Sequence, residues 1–213
     1  MCGRFYIEDA FDWADVLRLM GAQNRRLPEA AKRSGEVNPT DAALVLAPSK
    51  DLSPGAFAMR WGYRLPDGHL VINARSETAR SRPLFADGMR RRRCAVPVSG
   101  YIEWDRSGTT RRKYKVDGGT AEPLFLAGLY RPAEKGAEFT VLTRSPSDAV
   151  AALHDRMPVL LRAAEATAWI RPDADAQAVL REAVLSVRAR LTADSAPEQI
   201  GMELYSERSF IRM

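Results

Sequence analysis

The chain has 213 residues and 46% of them are hydrophobic, so it is long enough to bury a sizeable core in one large domain. Lys and Arg exceed Asp and Glu by 32 to 27, a net charge of +5 that permits a polyanionic partner such as nucleic acid without requiring one. The two cysteines and two histidines lack paired zinc-ligand spacing, and a disulfide scaffold would need more cysteines. We therefore expect no metal and no cofactor.

A targeting or membrane segment is not recognisable in the sequence. No apolar stretch approaches the roughly 18 residues that a membrane-spanning helix needs, and no signal sequence opens the chain. We therefore expect a cytoplasmic protein, associated with the nucleoid when it is bound to DNA.

The first residue with reactive chemistry is Cys2, which directly follows Met1. Methionine aminopeptidases remove Met1 when the second side chain is small, which would leave an α-amine and a thiol on one residue. An amine condenses with an aldehyde to an imine, and the adjacent sulfur can close on the imine carbon to form a thiazolidine. This chemistry requires an exposed residue with some thiolate. A small, buried and inert cysteine at a chain end is the alternative that position alone leaves open.

The hydrophobic pattern predicts a mixed set of helices and short strands. Asp9 can cap a first helix in which Trp13, Val16, Leu17 and Met20 share one face. The predicted strands are Ala42 to Ala47, Phe57 to Trp61, Leu70 to Ala74, Cys94 to Val98, Tyr101 to Trp104, Tyr114 to Val116, Leu124 to Tyr130 and Phe139 to Thr143. Further helices are predicted from Ser145 to about Leu153, from Ala164 to Ile170 and from Ala174 to Arg190.

Short turns between the predicted strands favour antiparallel neighbours. We therefore expect an α+β fold, a single domain with a curved, largely antiparallel, barrel-like β-sheet core and peripheral helices. The last twenty residues have little pattern. We expect one domain over residues 1–213, with its motifs in 1–161 and its C-terminal helices and tail in 162–213.

The excess basic charge is clumped in the sequence. Arg90, Arg91, Arg92 and Arg93 are consecutive, and Arg111, Arg112 and Lys113 form a second run. Such a run is often only a solvated face, so the charge alone leaves nucleic-acid contact and simple solubility equally open.

Three further segments carry residues suited to acid-base or anion chemistry. Asn73 and Arg75 end a predicted strand, where an amide and a guanidinium can lie side by side, although Asn73 can equally bond only backbone. Strand alternation puts Glu103 on the same face as Tyr101; this face is either solvent-exposed or half-buried, and a half-buried carboxyl group would exchange protons near neutral pH. His154 closes a predicted helix and is either structural or an acid-base group.

The motifs together resemble the SOS-response-associated peptidase family, whose members crosslink to abasic sites in single-stranded DNA. The matching segments, in chain order, are Met1-Cys2-Gly3-Arg4-Phe5, Trp61-Gly62, Asn73-Ala74-Arg75-Ser76-Glu77-Thr78, Gly100-Tyr101-Ile102-Glu103-Trp104 and His154-Asp155-Arg156-Met157-Pro158. The resemblance implies that the protein processes abasic sites and that Cys2 is the covalent residue. The partner would be abasic single-stranded DNA, and we expect a monomer with no membrane contact.

The resemblance also implies roles for individual residues. Asn73 would hold the N-terminus or the sugar oxygens, Glu103 would shuttle protons, and His154 would assist sugar ring opening or adduct reversal. The implied DNA contacts are Arg4, Arg75, Arg156, Trp61 and Thr143. An abasic sugar fits the chemistry of the residues as well, because its open form offers an aldehyde to an aminothiol and its phosphates need cations.

Two other classes of function stay open at this point. An N-terminal cysteine also opens N-terminal-nucleophile hydrolases. One form is a cysteine peptidase that processes its own N-terminus, and the other is a glutamine amidotransferase, whose Asn-Gly-Glu and glutamine-binding segments are not found in this sequence. A non-catalytic module that binds single-stranded nucleic acid through its arginines is the third possibility. It would leave the set of Cys2, Asn73, Glu103 and His154 unexplained.

Overall fold

The computed structural model describes residues 2–22, 27–105, 112–120, 122–183 and 186–192. In these ranges the strands are β1 (Phe5–Ile7), β2 (Gly35–Val37), β3 (Ala42–Pro48), β4 (Pro54–Trp61), β5 (Tyr63–Arg64), β6 (Leu70–Val71), β7 (Asn73–Arg75), β8 (Arg93–Val98), β9 (Gly100–Asp105), β10 (Arg112–Asp117), β11 (Leu124–Ala133), β12 (Gly136–Arg144), β13 (Met157–Pro158), β14 (Leu160–Leu161) and β15 (Arg188–Leu191). The helices are α1 (Trp13–Leu19), α2 (Pro83–Arg91), α3 (Asp148–Ala151), α4 (Ala163–Ile170) and α5 (Ala176–Glu182).

Five strands close into a barrel. β3 pairs with β4, β4 with β12, β12 with β11, β11 with β8, and β8 again with β3. All of these pairings are antiparallel except that of β4 with β12, and β7 joins β12 as a second parallel neighbour. The predicted fold class, with its curved and largely antiparallel sheet core and peripheral helices, is confirmed.

A second sheet, in the order β15-β10-β9-β1-β2, holds the start of the chain. β1 lies between β9 and β2, and its register places Phe5 opposite Tyr101 on one side and Val37 on the other. Both pairing partners lie far away along the chain, so no local pattern signals this strand. This pairing positions residues 2–4, which precede β1, beside β9.

The barrel separates two hydrophobic clusters. One contains Cys2, Phe5, Trp61, Tyr101 and Phe139, and the other is covered by the helices and contains residues such as Trp169. Side chains alternate between the faces of a strand, so β12 contributes Phe139 to the first cluster and Leu142 to the second. Removal of apolar side chains from water stabilises both clusters, and the second cluster holds the helices against the barrel.

Several predicted element boundaries need correction. The first helix is capped by Asp12, whose side chain accepts from Asp15 N at 2.9 Å, and not by Asp9. The predicted strand Leu70 to Ala74 is two short strands, β6 and β7, which pair with different partners.

The predicted helix from Ala174 to Arg190 is wrong in its second half. α5 ends at Glu182, and Arg188–Leu191 forms β15 on the edge of β10. The apolar stripe of this segment fits helical spacing, but the backbone of its last residues bonds to a distant strand instead.

Helix α2 is absent from the sequence-based prediction. Pro83 begins it, as proline does at a first helical position, and Gly88 lets it approach β11, because a Cβ at Gly88 would lie 3.1 Å from Leu129 Cβ. The arginine run lies where α2 ends and β8 begins. Arg90 is exposed at its end, as is Arg91, whereas Arg93 is buried at the start of β8.

The other basic run and the tail are only partly covered. Arg111 and the last twenty residues lie outside the described residues. In the part of the chain that the structure describes, no helix is long and apolar enough to cross a membrane.

Candidate active site

Cys2 is held by its backbone and enclosed on its side chain. Asn73 Nδ2 donates to the Cys2 carbonyl oxygen at 2.9 Å, and the Cys2 thiol points to Arg4 O at 3.8 Å. The residue is 0% exposed. Its sulfur belongs to the same cluster as Phe5 and Trp61, whose ring centroids are 5.1 Å apart.

Burial decides the protonation of the thiol. Desolvation raises the pKa of Cys2 from 9.0 to about 12, and the negative charge of Glu103 adds to the effect. At neutral pH the sulfur is therefore a neutral thiol and not a thiolate. The expectation of an exposed, partly ionised sulfur is wrong for this structure, because the aromatic cluster closes over the side chain.

Glu103 lies on β9 and is buried, so it is not the solvent-facing position that the sequence left open. Its Oε1 accepts from Trp104 N at 3.3 Å. Tyr101, two residues earlier on the same strand face, is fully buried as well. Burial raises the pKa of Tyr101, and ionisation of Cys2 or Glu103 would raise it further, so the titrations of these three groups are coupled.

Asn73 reaches Cys2 because β7 runs parallel to β12. The register pairs Asn73 with Val141 and Arg75 with Thr143. Trp61 fixes the turn before β7, since its Nε1 donates to Ile72 O at 3.0 Å. The Asn73 side chain is buried, whereas Arg75, at the end of the strand, is exposed.

His154 follows α3 in a loop of its own. The imidazole is largely buried, and its Nδ1 lies 2.7 Å from Asp155 Oδ1 and 3.0 Å from Arg156 N. The two contacts require different protonation states of Nδ1. A protonated Nδ1 donates a hydrogen bond to Asp155, whereas an unprotonated Nδ1 accepts one from Arg156 N. The loop is tied to β12, the strand that pairs with β7, through Arg156, whose Nη2 donates to Thr143 O at 2.7 Å.

Carboxylates hold Arg4 and Arg156, for which the resemblance implies phosphate contacts. Arg4 Nη1 donates to Glu36 Oε2 at 2.7 Å, and its guanidinium lies 5.1 Å from the centre of the Trp104 ring. Arg156 makes a two-pronged contact of 2.8 and 2.7 Å with the carboxylate of Glu77.

The two carboxylates respond to these cations. Burial acts to raise the pKa of Glu36, but hydrogen bonds from Lys113 and Arg4 outweigh it and lower the pKa. The pKa of Glu77 is lowered in the same way, with burial opposed by the hydrogen bonds from Arg156. Both acids are therefore ionised above their lowered pKa values, and they fix the arginines in place.

Trp61 and Thr143 do not reach the surface. Both side chains are fully buried, so the prediction that they contact DNA is corrected: neither is available for such a contact in this structure. Trp61 packs between Phe5 and Phe139, and Thr143 Oγ1 donates to Ala74 O at 3.4 Å. The physical reason is that β4 and β12 belong to the closed barrel, whose inner face excludes water.

Three residues that matter to this geometry were not singled out by sequence reasoning. Tyr101 shares the enclosed cluster with Cys2, Glu36 holds Arg4, and Glu77 holds Arg156. Strand alternation from Glu103 already points to Tyr101. Glu36 carries no sequence signal, because its partner is 32 residues away across two paired strands.

The described side chains around Cys2 do not form a metal site. Among the described residues, no group of three or more His, Cys, Asp or Glu side chains is placed to hold an ion. The arrangement instead offers a cysteine at position 2 with a buried carboxyl group and a carboxamide, which suits proton transfer during nucleophilic chemistry.

The fold is a closed β-barrel with peripheral helices, and it brings Cys2, Asn73 and Glu103 together from three separate segments of the chain. The family model for the SOS response associated peptidase (SRAP) matches residues 1–201. The chain belongs to this family.

Curated relatives and solved structures agree with the assignment. The chain is 29% identical over 192 residues to abasic site processing protein YoqW of Bacillus subtilis and 28% identical over 181 residues to abasic site processing protein YedK of Escherichia coli, with 81% of each chain covered in both cases. A phage-related protein of Bordetella bronchiseptica is similar in structure, with a TM-score of 0.71 and 25% identity over 90% of this chain and 94% of that chain.

Proposed function

We propose that this protein processes abasic sites in single-stranded DNA by trapping the sugar aldehyde covalently on Cys2. The observation that carries the proposal is the placement of Cys2, whose carbonyl oxygen is fixed by Asn73 at 2.9 Å and whose thiol lies within the field of Glu103. The names of the curated relatives support the choice of abasic DNA as substrate. The trapped lesion would be protected from the strand break that β-elimination otherwise causes.

The order of the two bond-forming steps follows from the protonation state of the sulfur. A thiol with a pKa of about 12 is a poor nucleophile at neutral pH. An α-amine, by contrast, titrates near pH 7.7 to 8.0 and is partly uncharged there. After removal of Met1 the amine of Cys2 therefore attacks the aldehyde first, and the sulfur closes the ring afterwards.

The atoms balance without a further reactant. The amine nitrogen attacks the aldehyde carbon to give a carbinolamine, which loses its hydroxyl oxygen as water to form the imine. The thiol sulfur then bonds to the imine carbon, and the sulfur proton passes to the imine nitrogen to give the thiazolidine. Glu103 is suited to carry protons in both steps, because it is buried next to the reacting residue.

Asn73 and His154 have supporting roles in this proposal. Asn73 fixes the carbonyl of Cys2 and so limits the directions in which the amine can point. His154 lies on the loop tied to β12 by Arg156 and assists opening of the sugar ring or reversal of the adduct.

The proposed DNA contact rests on the cations around this centre. Arg75 is exposed, so a phosphate can approach its charge from solvent. Arg4 and Arg156 already hold Glu36 and Glu77, so a phosphate would have to share or displace a carboxylate at these two positions.

The thiol also weighs against an N-terminal-nucleophile hydrolase. In those enzymes the sulfur is the first nucleophile and needs a depressed pKa, whereas burial and Glu103 raise that of Cys2. The non-catalytic binding module predicts salt-sensitive binding that is indifferent to the lesion.

The test is intact-protein mass spectrometry after incubation with a single-stranded oligonucleotide that contains one abasic site. We expect a heat-stable adduct whose mass equals protein without Met1 plus oligonucleotide minus one water. Cys2→Ala abolishes the thiazolidine. A variant with one extra residue retained ahead of Cys2 also forms none, because its α-amine is no longer on the cysteine.

Two results would contradict the proposal. One is an undiminished adduct with Cys2→Ala, which would assign the chemistry to another amine. The other is equal, non-covalent and salt-sensitive binding of intact and abasic strands, which would favour the binding module.

A further inference from the structure

The hydroxyl group of Tyr101 is an unusual feature of the enclosed cluster. Tyr101 is fully buried, and among the described residues its hydroxyl oxygen has no hydrogen-bond partner. Its ring lies in the same cluster as Cys2 and Phe5, and the β1–β9 register sets Tyr101 directly opposite Phe5. The hydroxyl is therefore enclosed with the proposed reacting residue.

A buried donor without a partner is costly for the folded protein. Removing the hydroxyl from water without a replacement bond disfavours folding, so phenylalanine would fit this position better on stability grounds alone. One explanation is that the hydroxyl donates a hydrogen bond to an oxygen atom of the substrate when the substrate is bound. Asn73 Oδ1, also buried and without a partner among the described residues, belongs to the residue that binds Cys2.

The charges around the hydroxyl fix the role it can play. Burial raises the pKa of Tyr101, and the negative charge of Glu103 raises it further. The phenol therefore keeps its proton at neutral pH and acts as a hydrogen-bond donor rather than as a base.

We propose that Tyr101 is a further catalytic residue, whose hydroxyl donates a hydrogen bond to the oxygen of the captured aldehyde. The inference rests on the proposed function and adds to it a donor that stabilises the oxygen as charge develops there. When the amine of Cys2 attacks the carbonyl carbon, the π electron pair moves to the oxygen, and the Tyr101 O–H is the donor that meets it. Tyr101 keeps its own proton, and the oxygen leaves as water with protons from the amine and the general acid.

The experiment compares wild type with Tyr101→Phe, which keeps the ring and removes only the hydroxyl. The rate of adduct formation is measured at saturating abasic oligonucleotide, and we expect a decrease of about 100-fold, as for loss of one such donor in other enzymes. Affinity for an oligonucleotide with a tetrahydrofuran abasic analogue, which has no aldehyde, should stay within about threefold, because the ring that packs in the cluster is kept. Thermal unfolding should shift upward by about 2 °C or more, because a buried group without a partner is removed.

Thr140 offers a matched control in the same barrel. Its hydroxyl is also buried without a partner among the described residues, but strand alternation places it on the opposite face from Phe139 and Val141, which belong to the Cys2 cluster. Thr140→Val should raise the unfolding temperature and leave the rate of adduct formation unchanged.

The outcomes separate this inference from the proposed function. If wild type forms an adduct and Tyr101→Phe forms it at a similar rate, the catalytic role of the hydroxyl is refuted while the proposed function stands. A lower unfolding temperature in Tyr101→Phe would refute it too, since the hydroxyl would then be a structural bond. Absence of any adduct with wild type would refute the proposed function itself.

Discussion

Asn73 and Cys2 are 71 positions apart in the chain and are joined by one buried hydrogen bond of 2.9 Å, from the Asn73 side chain to the Cys2 carbonyl oxygen. The bond ties the start of the chain to the barrel, because Asn73 lies on β7 and β7 pairs with β12. The position of the proposed reacting residue is thus set by a strand from the middle of the sequence.

Replacing Asn73 tests this connection. Asn73→Ala leaves the Cys2 carbonyl buried without its donor, which should lower the free energy of unfolding by about 1–3 kcal/mol. Adduct formation should slow by about tenfold or more, because the amine loses its fixed orientation. Urea denaturation and a gel-based adduct time course measure the two effects.

Asn38→Ala is the control for Asn73→Ala, since Asn38 is only half-buried and lies in a turn that precedes β3. It should change stability by less than about 0.5 kcal/mol. An Asn73→Ala variant with normal stability and a normal adduct rate would show that the hydrogen bond positions nothing.

The raised pKa of Cys2 predicts a loss of stability in alkali. The folded thiol has a pKa of about 12 against 9.0 for the free group, so folding favours the protonated form. This contribution is fully present below about pH 9 and is lost as the pH rises from there towards 12. Between about pH 8 and pH 10 the stability lost through this one group is about 1 kcal/mol.

Cys2→Ser isolates that contribution, because serine does not titrate in this range. Chemical denaturation of both proteins at about pH 8 and pH 10, with Met1 retention checked by mass, should show the wild type losing about 1 kcal/mol more than the variant. Equal losses would mean that the thiol is accessible to water and that its ordinary pKa is retained.

Arg93 and Arg91 belong to one arginine run and are expected to behave in opposite ways. The buried guanidinium of Arg93 donates to four carbonyl oxygens, which are Trp169 O at 2.7 Å, Met89 O at 2.9 Å, Ala174 O at 3.1 Å and Arg171 O. Arg93→Ala removes the buried side-chain donor from these carbonyls, which lie at the ends of α2 and α4 and just beyond α4. It should lower the free energy of unfolding by more than about 3 kcal/mol.

Arg91→Ala is the matched control. The Arg91 side chain is 73% exposed and contacts only Asp87 among the described residues, so its loss should cost less than about 0.5 kcal/mol. Thermal and urea unfolding of the two variants distinguish the buried arginine from the surface one. Comparable stability of the two would show that Arg93 does not join these helices.

Glu77 should control the loop that carries His154. Its carboxylate holds Arg156, and Arg156 N in turn donates to His154 Nδ1. Glu77→Gln removes the charge from the two-pronged contact, so we expect a slower adduct reaction and a changed NMR signal of His154. His69 is the other histidine of the chain, and its signal should stay unchanged as an internal reference.

The same pair predicts an acid dependence. The folded pKa of Glu77 is lowered, so its contribution to stability is present above the ordinary value of 4.5 and is lost as the pH falls through the lowered one. The wild type should therefore lose more stability than Glu77→Gln on acidification below pH 4.5. Parallel acid unfolding curves would argue that Arg156 does not stabilise the ionised carboxylate.

Local pattern was enough for much of the sheet and for part of the site. Alternation along β9 put Tyr101 and Glu103 on one face, and the structure keeps them together. Most barrel strands were recognisable because their side chains are apolar and their ends are marked by turn residues. The N-terminal strand was not, since Phe5–Ile7 is stabilised by partners far away in the sequence.

Burial of single side chains depended on the barrel. Trp61 and Thr143 were predicted to contact DNA, but closing the strands into a ring turns both inward. Arg93 is identical in type to its three neighbours in the run, yet it alone begins β8 and reaches under α4. Adjacent residues of the same type can therefore point to solvent or into the core, depending on the element to which each belongs.

Residue types and local pattern establish the reactive groups of this protein, which are a cysteine at position 2 and an amide, an acid and an imidazole in separate motifs, and they predict most strands of the barrel. The fold encloses Cys2 with Glu103 and Tyr101, keeps its sulfur a neutral thiol, and pairs Arg4 and Arg156 with carboxylates. The reason is that residue type is encoded locally, whereas desolvation and charge pairing depend on which distant strands meet.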